Sequence, residues 1–325
     1  MTRANRTSID LVRHFKTKSG TPITVGTGTG TKWQWKKKLR PEEERGTLDE
    51  ELVEQLLLAL KNGYNHIDTA EVYTTHPEVA AAIKRSGRKR EDLWVTTKYG
   101  PGFKERLAES KGPEDFIDRS LKDLDNDYID LVLIHFPFFN TELSHGQNIG
   151  SAWKELIKAK KDGKVRYIGV SNFAIPHLEE TFKVSDSPEY YPVVNQIEFN
   201  PYLQNQSKDI VQYCRDHKIL VEAYGPLTPL FRVKKDGVER NEHPLENLLP
   251  ELAEKYHKTD SQILLAYTLQ KGILPITTSS KEERIRQALE ASTFSLDDSD
   301  VKEIDDVGST FHFRSFFNNL FDDYE

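Results

Sequence analysis

The chain has 325 residues, 37% apolar and 30% charged, with a formal charge of −7, a size that suits one large α/β-barrel core built as a single domain over 1–325. Its acidic balance disfavours a nucleic-acid partner, and no run of about 18 apolar residues offers itself to a membrane. The opening MTRANRTSIDLVRHF lacks the apolar stretch and small-residue cleavage site of a secretory signal, so the expectation is a soluble, cytoplasmic protein.

Residues 13–25, RHFKTKSGTPITV, read as a β-hairpin turning near Ser19 and Gly20, a plug for a barrel floor. GTGTGT at 26–31 lacks the third glycine of the GxGxxG fingerprint, which argues against a Rossmann domain. TKWQWKKKLR at 31–40 is basic and interleaved with tryptophan; the acidic run Glu42, Glu43, Glu44 cancels the patch, and a solvated loop beside the pocket is expected. Thr47 with Glu50 forms a capping-box pattern before LDEELVEQLLLALKNG, a helix ending on Gly63. Further helices are expected at 77–86, 113–124, 150–162, 176–183, 207–217, 244–256, 260–271 and 281–291. Cys214, the only cysteine, falls in a helical pattern as a buried thiol and rules out an intramolecular disulfide.

Strand patterns occur at 22–27, 64–68, 93–98, 129–135, 165–170, 193–199, 219–224 and 273–277. Eight strands alternating with amphipathic helices predict a (β/α)8 TIM barrel, where a doubly wound sheet would more often hold five to seven. After the barrel, FHFRSFFNNLFDDYE is expected to form an aromatic loop lining a substrate mouth.

Asp68, Lys98 and His135 each close a predicted strand, and Tyr73 follows Asp68 by five residues. Trp94, Thr96 and Lys98 share one strand face, as do Leu131, Leu133 and His135, so the polar groups can top inward-facing columns at the carboxyl end of a barrel. Hydride delivery to a carbonyl builds negative charge on oxygen, and a proton donor must meet it. A tyrosine can donate if a lysine ammonium lowers its pKa towards neutrality, a carboxylate makes that buried ammonium tolerable, and a neutral histidine can orient the carbonyl.

GYNHIDTAEVY, LVLIHFP and VRYIGVSNF resemble signature segments of the aldo-keto reductase superfamily, and LPITTSSKEERIRQ resembles its C-terminal cofactor segment, so the likeness runs from about 22 to 291. The resemblance implies Tyr73 as general acid, Lys98 and Asp68 as its tuning pair and His135 as the carbonyl-orienting group. It implies NADPH lying extended across the barrel mouth. Ser171, Asn172 and Gln196 would hold the nicotinamide carboxamide and Tyr224 would stack on the ring, with Gly225 and Leu227 near the pyrophosphate. Ser279, Ser280 and Arg284 would take the adenosine end, Arg284 against the 2′-phosphate and Gln287 near adenine, while Gly28 and Thr29 would close over the cofactor. Trp33, Tyr99, Phe136 and the tail would shape the substrate pocket.

Two departures stand out. Thr278 occupies a position usually held by a phosphate-contacting lysine, which Lys281 could replace, and Phe136 stands where tryptophan is common. GTGTGTKWQW and HFPFFN look most like the fungal reductases of α-keto amides, α-keto esters and conjugated polyketones such as ketopantoyl lactone. A small-molecule carbonyl substrate, no metal, and a monomer or weak homodimer are expected. Two other readings compete: a metal-dependent barrel hydrolase using His66 and Asp68, and a non-catalytic nicotinamide-binding regulatory subunit.

Overall fold

A computed structural model describes residues 14–233, 243–321 and 324. Eight parallel strands pair in chain order and close into a barrel: β1 (Gly26–Gly28), β2 (His66–Asp68), β3 (Trp94–Tyr99), β4 (Ile129–Ile134), β5 (Val165–Ser171), β6 (Val194–Glu198), β7 (Leu220–Tyr224) and β8 (Leu274–Thr277). Around them run α1 (Lys32–Lys38), α2 (Glu50–Lys61), α3 (His76–Ser86), α4 (Pro113–Asp123), α5 (Ile149–Lys161), α6 (Ile175–Val184), α7 (Ile210–Asp216), α8 (Thr228–Phe231), α9 (Leu245–Tyr256), α10 (Asp260–Gln270), α11 (Glu282–Glu290) and α12 (Asp298–Gly308). The expected (β/α)8 architecture is therefore present. No helix among the described residues is long and apolar enough to cross a membrane.

Strand alternation sorts the apolar residues into two cores. Trp94, Leu131, Leu133, Val194, Leu220 and Leu274 fill the barrel interior together with Phe15 and Ile23 of the N-terminal segment. That segment is the anticipated plug: Ile23 N–H donates to Phe15 O at 3.1 Å, and Gly20, at φ +92°, makes the turn. Outward-facing Val95, Tyr99, Val132, Ile134, Ile168 and Val170 join the second core, between sheet and helices.

Several local expectations need correction. Asp49, not Thr47, caps α2, its carboxylate accepting from Leu52 N–H, while the Thr47 hydroxyl turns back to Glu44 O. Residues 32–38 form a helix rather than a solvated loop, because Trp33 is buried and the Lys37 ammonium enters the interior to pair with buried Glu78 at 2.7 Å. The helix expected at 207–217 starts only at Ile210, since Asp209 takes a left-handed φ of 58°. Helix α12 has no counterpart among the sequence-derived elements. Its acidic stretch hides an apolar stripe of Val301 and Ile304, both in the outer core.

Candidate active site

The barrel closes with Asp68 and Lys98 facing the same interior. Lys98 Nζ lies 2.6 Å from Asp68 Oδ1 and 3.0 Å from Thr69 O, and both side chains are buried. Burial works against the ammonium, but Asp68 and then Tyr73 outweigh it, so Lys98 holds its proton above the usual lysine range. Tyr73 comes in on a short 3-10 turn (Glu71–Tyr73), which places its ring centroid 5.3 Å from Lys98 Nζ. The His135 ring meets the Tyr73 ring nearly edge-on, at 5.6 Å and 82°. Thus the four residues named from sequence converge.

Their electrostatics differ from expectation in one respect. Burial pushes the Tyr73 phenol up, Lys98 pulls it down and Asp68 raises it again; the net direction is upward, not towards neutrality. The Asp68 carboxylate that places the ammonium also cancels part of its field. His135 is driven well below the usual histidine range by burial, with the Lys98 and Lys38 charges adding to the effect, so its imidazole is neutral. Its Nδ1 is buried without a protein partner.

Four contacts hold the Tyr73 turn in place, none of them anticipated. Buried Glu71 accepts from Gly100 N–H at 3.2 Å and from the Ser110 hydroxyl, tying the turn to the end of β3. Lys37 Nζ donates to Thr74 O at 2.9 Å. Gly30 lies flat against the phenol, where a Cβ would sit 2.9 Å from the ring, so only glycine lets the ring reach this position.

On the opposite wall, the ends of β5, β6 and β7 share a polar network. Ser171 Oγ donates to Gln196 O at 2.7 Å. Asn172, at φ 63°, donates to His135 O at 2.8 Å and accepts from the Tyr224 hydroxyl at 2.6 Å and from Gln206 Nε2 at 2.9 Å. Gln196 Nε2 reaches Asp68 Oδ2 at 2.8 Å and Glu222 Oε2 at 2.9 Å. With both amide protons spent on carboxylates, the carbonyl end of Gln196 is the part left to accept from a ligand. Both Asp68 oxygens are likewise engaged, by Lys98 and Gln196, and His66 lies at Thr96 below, so these two residues do not form the shared metal site considered from sequence.

A surface cleft runs from Leu227 past Thr278 and Ser279 to Arg284 and Gln287, with Tyr64 and Gln262 completing its walls. Ser280 and Lys281 lie exposed beside it, at the start of α11, where free backbone N–H groups favour anions. This donor set fits a phosphorylated nucleoside: hydroxyls, a guanidinium and a helix start along an apolar wall. The Thr278 hydroxyl donates to Gln55 Oε1 at 3.3 Å. Gly225 turns at φ +68°, and at Gly28 a Cβ would make ordinary contact with Ile276, 3.6 Å away. Thr29 is wholly buried, its hydroxyl 2.8 Å from that of Thr75, so its side chain braces the wall behind Asp68.

Of the three residues expected around the substrate, only Phe136 is in position, 5.5 Å from the His135 ring. Tyr99 neighbours Lys98 on β3 and so points outward, fully buried 6.0 Å from Phe116 of α4. Trp33 is buried in the outer core, and the exposed indole of α1 is Trp35. The aromatic tail does cover the mouth: Phe317 packs on Phe103, Phe136 and Phe138, and Phe316 meets Tyr224 edge-on at 5.4 Å. Glu198, fully buried at the end of β6, accepts from Ser315 and Phe316 N–H and so fastens the tail.

Known proteins match this arrangement. The family model described as the aldo/keto reductase family matches residues 22–309. The chain is 41% identical over 285 residues to the NADPH-dependent alpha-keto amide reductase of Saccharomyces cerevisiae, covering 87% of this chain and 88% of that one. It is 36% identical to the NAD/NADP-dependent indole-3-acetaldehyde reductase of Schizosaccharomyces pombe, over 86% of this chain and 92% of the relative. The crystal structure of a Bombyx mori aldo-keto reductase in complex with NADP superimposes with a TM-score of 0.72 at 31% identity, over 90% of this chain and 92% of that chain. On the strength of the barrel, the converging site and these matches, the chain belongs to the aldo/keto reductase family.

Proposed function

We propose that this oxidoreductase reduces a ketone or aldehyde to its alcohol with NADPH, and that Tyr73 gives the proton. The observation that carries the reading is the buried Lys98–Asp68 pair at 2.6 Å, set beneath a phenol that faces His135. When bound, the nicotinamide supplies the hydride. Tyr73 starts protonated, consistent with its raised pKa, and passes its hydroxyl proton to the carbonyl oxygen as negative charge builds there. Lys98 stabilises the phenolate left behind, and Asp68 keeps the ammonium charged and in place. Neutral His135 donates a ring N–H to the carbonyl oxygen without competing as the acid.

In this reading Ser171, Asn172 and Gln196 hold the carboxamide and Tyr224 stacks on the ring. Gly225 and Leu227 lie near the pyrophosphate, and Gly28 and Thr29 close over the cofactor; Thr278, Ser279, Ser280, Lys281, Arg284 and Gln287 take the adenosine end. The fit of the cleft residues to a phosphorylated nucleoside supports this. The ring cluster of Phe103, Phe136, Phe138 and Phe317 over the mouth suits an apolar substrate body. With the Saccharomyces relative's name, it points to an α-keto amide, α-keto ester, keto lactone or diketone.

Tyr73→Phe tests the reading. Loss of NADPH absorbance with a keto ester should slow at least about 100-fold, the scale of a lost general acid, while NADPH binding followed by fluorescence survives. Undiminished turnover would sink the assignment.

A further inference from the structure

Below the site lies a second carboxylate to which the reaction just described gives no task. Glu222 sits on β7 inside the barrel with no exposure, and its Oε1 has no hydrogen-bond partner. Its Oε2 accepts from Gln196 Nε2 at 2.9 Å, the same nitrogen that donates to Asp68 at 2.8 Å. One amide nitrogen thus bridges two carboxyl groups. Two such neighbours do not both ionise cheaply, and Lys98, at 2.6 Å from Asp68, decides which of them carries the charge. Lys98 lies against Asp68 and, among the described residues, no cation touches Glu222, so Glu222 is the one left to hold a proton. The groups facing Glu222 are few: His66 of β2, whose Nε2 is 4.0 Å away and whose ring stays neutral, Asp68, Lys98 and Gln196, with Leu274 beside it on β8.

We propose that Glu222 is a positioning residue that governs how readily Tyr73 gives up its proton, acting through Gln196, Asp68 and Lys98. This rests on the reading of Tyr73 as the proton donor. While Glu222 is neutral, the Lys98 ammonium has one counter-charge and keeps attraction to spare for a phenolate. Ionised Glu222 adds a second negative charge beside Lys98, so Tyr73 becomes a weaker acid and a stronger base. Burial and then the Asp68 charge push its carboxyl up to about 8, which puts this change within a workable pH range. Carbonyl reduction should therefore fall above that pH.

The test follows kcat/KM in both directions from pH 6 to 10 for the wild type, Glu222→Gln and Glu222→Asp, with NADPH affinity measured alongside. The glutamine keeps the shape and cannot ionise. It should leave reduction near pH 6.5 within about twofold and raise reduction at pH 9.5 by about tenfold over the wild type, a one-unit displacement of the limb, with oxidation there rising in step because both directions share one equilibrium constant. The aspartate should restore an alkaline decline. Superimposable profiles for wild type and Glu222→Gln overturn the proposal, as does a loss equal at all pH values and in both directions, which marks a purely structural role. If Glu222→Gln does not fold, a wild-type reduction profile flat from pH 7 to 9 overturns it without any variant. Full activity of Tyr73→Phe would instead overturn the underlying reading, so the two failures are distinguishable.

Discussion

Arg284 stands exposed in the first turn of α11, on the rim of the cleft, and Thr278 opposite it carries no charge. If the 2′-phosphate is held there, Arg284 supplies the main charge for it, since the Thr278 hydroxyl is turned to Gln55. Arg284→Ala should weaken NADPH by about 10- to 100-fold, the loss expected for charge-assisted hydrogen bonds to phosphate, and leave NADH nearly unchanged. Equal losses for the two, measured by fluorescence titration, would place the phosphate elsewhere. The four central residues were legible because each lies at or just beyond the end of a strand pattern, and strand ends meet in a barrel. Glu71 and Gln206 were not, because their partners sit on loops and strands distant in sequence. Glu198 and Glu222 carried a readable signal: each lies two residues from a named residue, Gln196 or Tyr224, on the same strand face.

Among the elements, the tail is held by carboxylate more than by periodicity, which is why its path could not be read from its letters. Its aromatic residues share no repeat, yet Ser315 and Phe316 N–H both reach Glu198 and Arg314 donates to Gln206 O at 2.9 Å. Glu198→Ala removes both acceptors. Amide exchange at Ser315 and Phe316 should accelerate by more than tenfold, and KM for an aromatic ketone should rise several-fold with kcat changed less, because the roof loosens while the proton donor stays. Unchanged exchange would show that ring packing alone holds the tail. Seven strand positions were anticipated closely because each falls between turn residues as a short apolar run; the first, expected at 22–27, starts only at Gly26, because Pro22 and Ile23 pair back on Lys16 and Phe15 in the plug. Helix α1 was misjudged for a physical reason: four lysines on seven residues suggest solvent, but Lys37 carries its charge inward to a buried partner.

For the whole molecule, buried ionisable groups set opposing pH trends. His66, His76 and His177 are pushed down to about 4 by burial, so between pH 6.5 and 4 the unfolded chain takes up protons that the folded one refuses, and stability falls as pH falls. Glu71 and Glu222 are pushed up to about 7 and about 8, so above pH 4.5 the folded chain keeps protons that the unfolded one has lost, and stability falls as pH rises to those values. Stability should therefore peak near pH 6 to 6.5 and drop by about 1 kcal/mol by pH 8, at about 1.4 kcal/mol per unit of pH per group, the histidines offsetting part of the carboxyl loss. Urea unfolding at pH 6.5 and 8 measures the drop; a rise over that interval would contradict the assignment.

The order of the chain along the molecule has a consequence for its synthesis. The floor of the barrel is laid by Phe15 and Ile23, near the start, while the roof comes from residues 313–321 and Tyr324, whose hydroxyl bonds His177 at 3.0 Å. A nascent chain can thus close its barrel and even bind nucleotide while its mouth still lacks a ceiling. Until residues 313–321 follow, Phe103, Phe136 and Phe138 have no Phe317 to pack against.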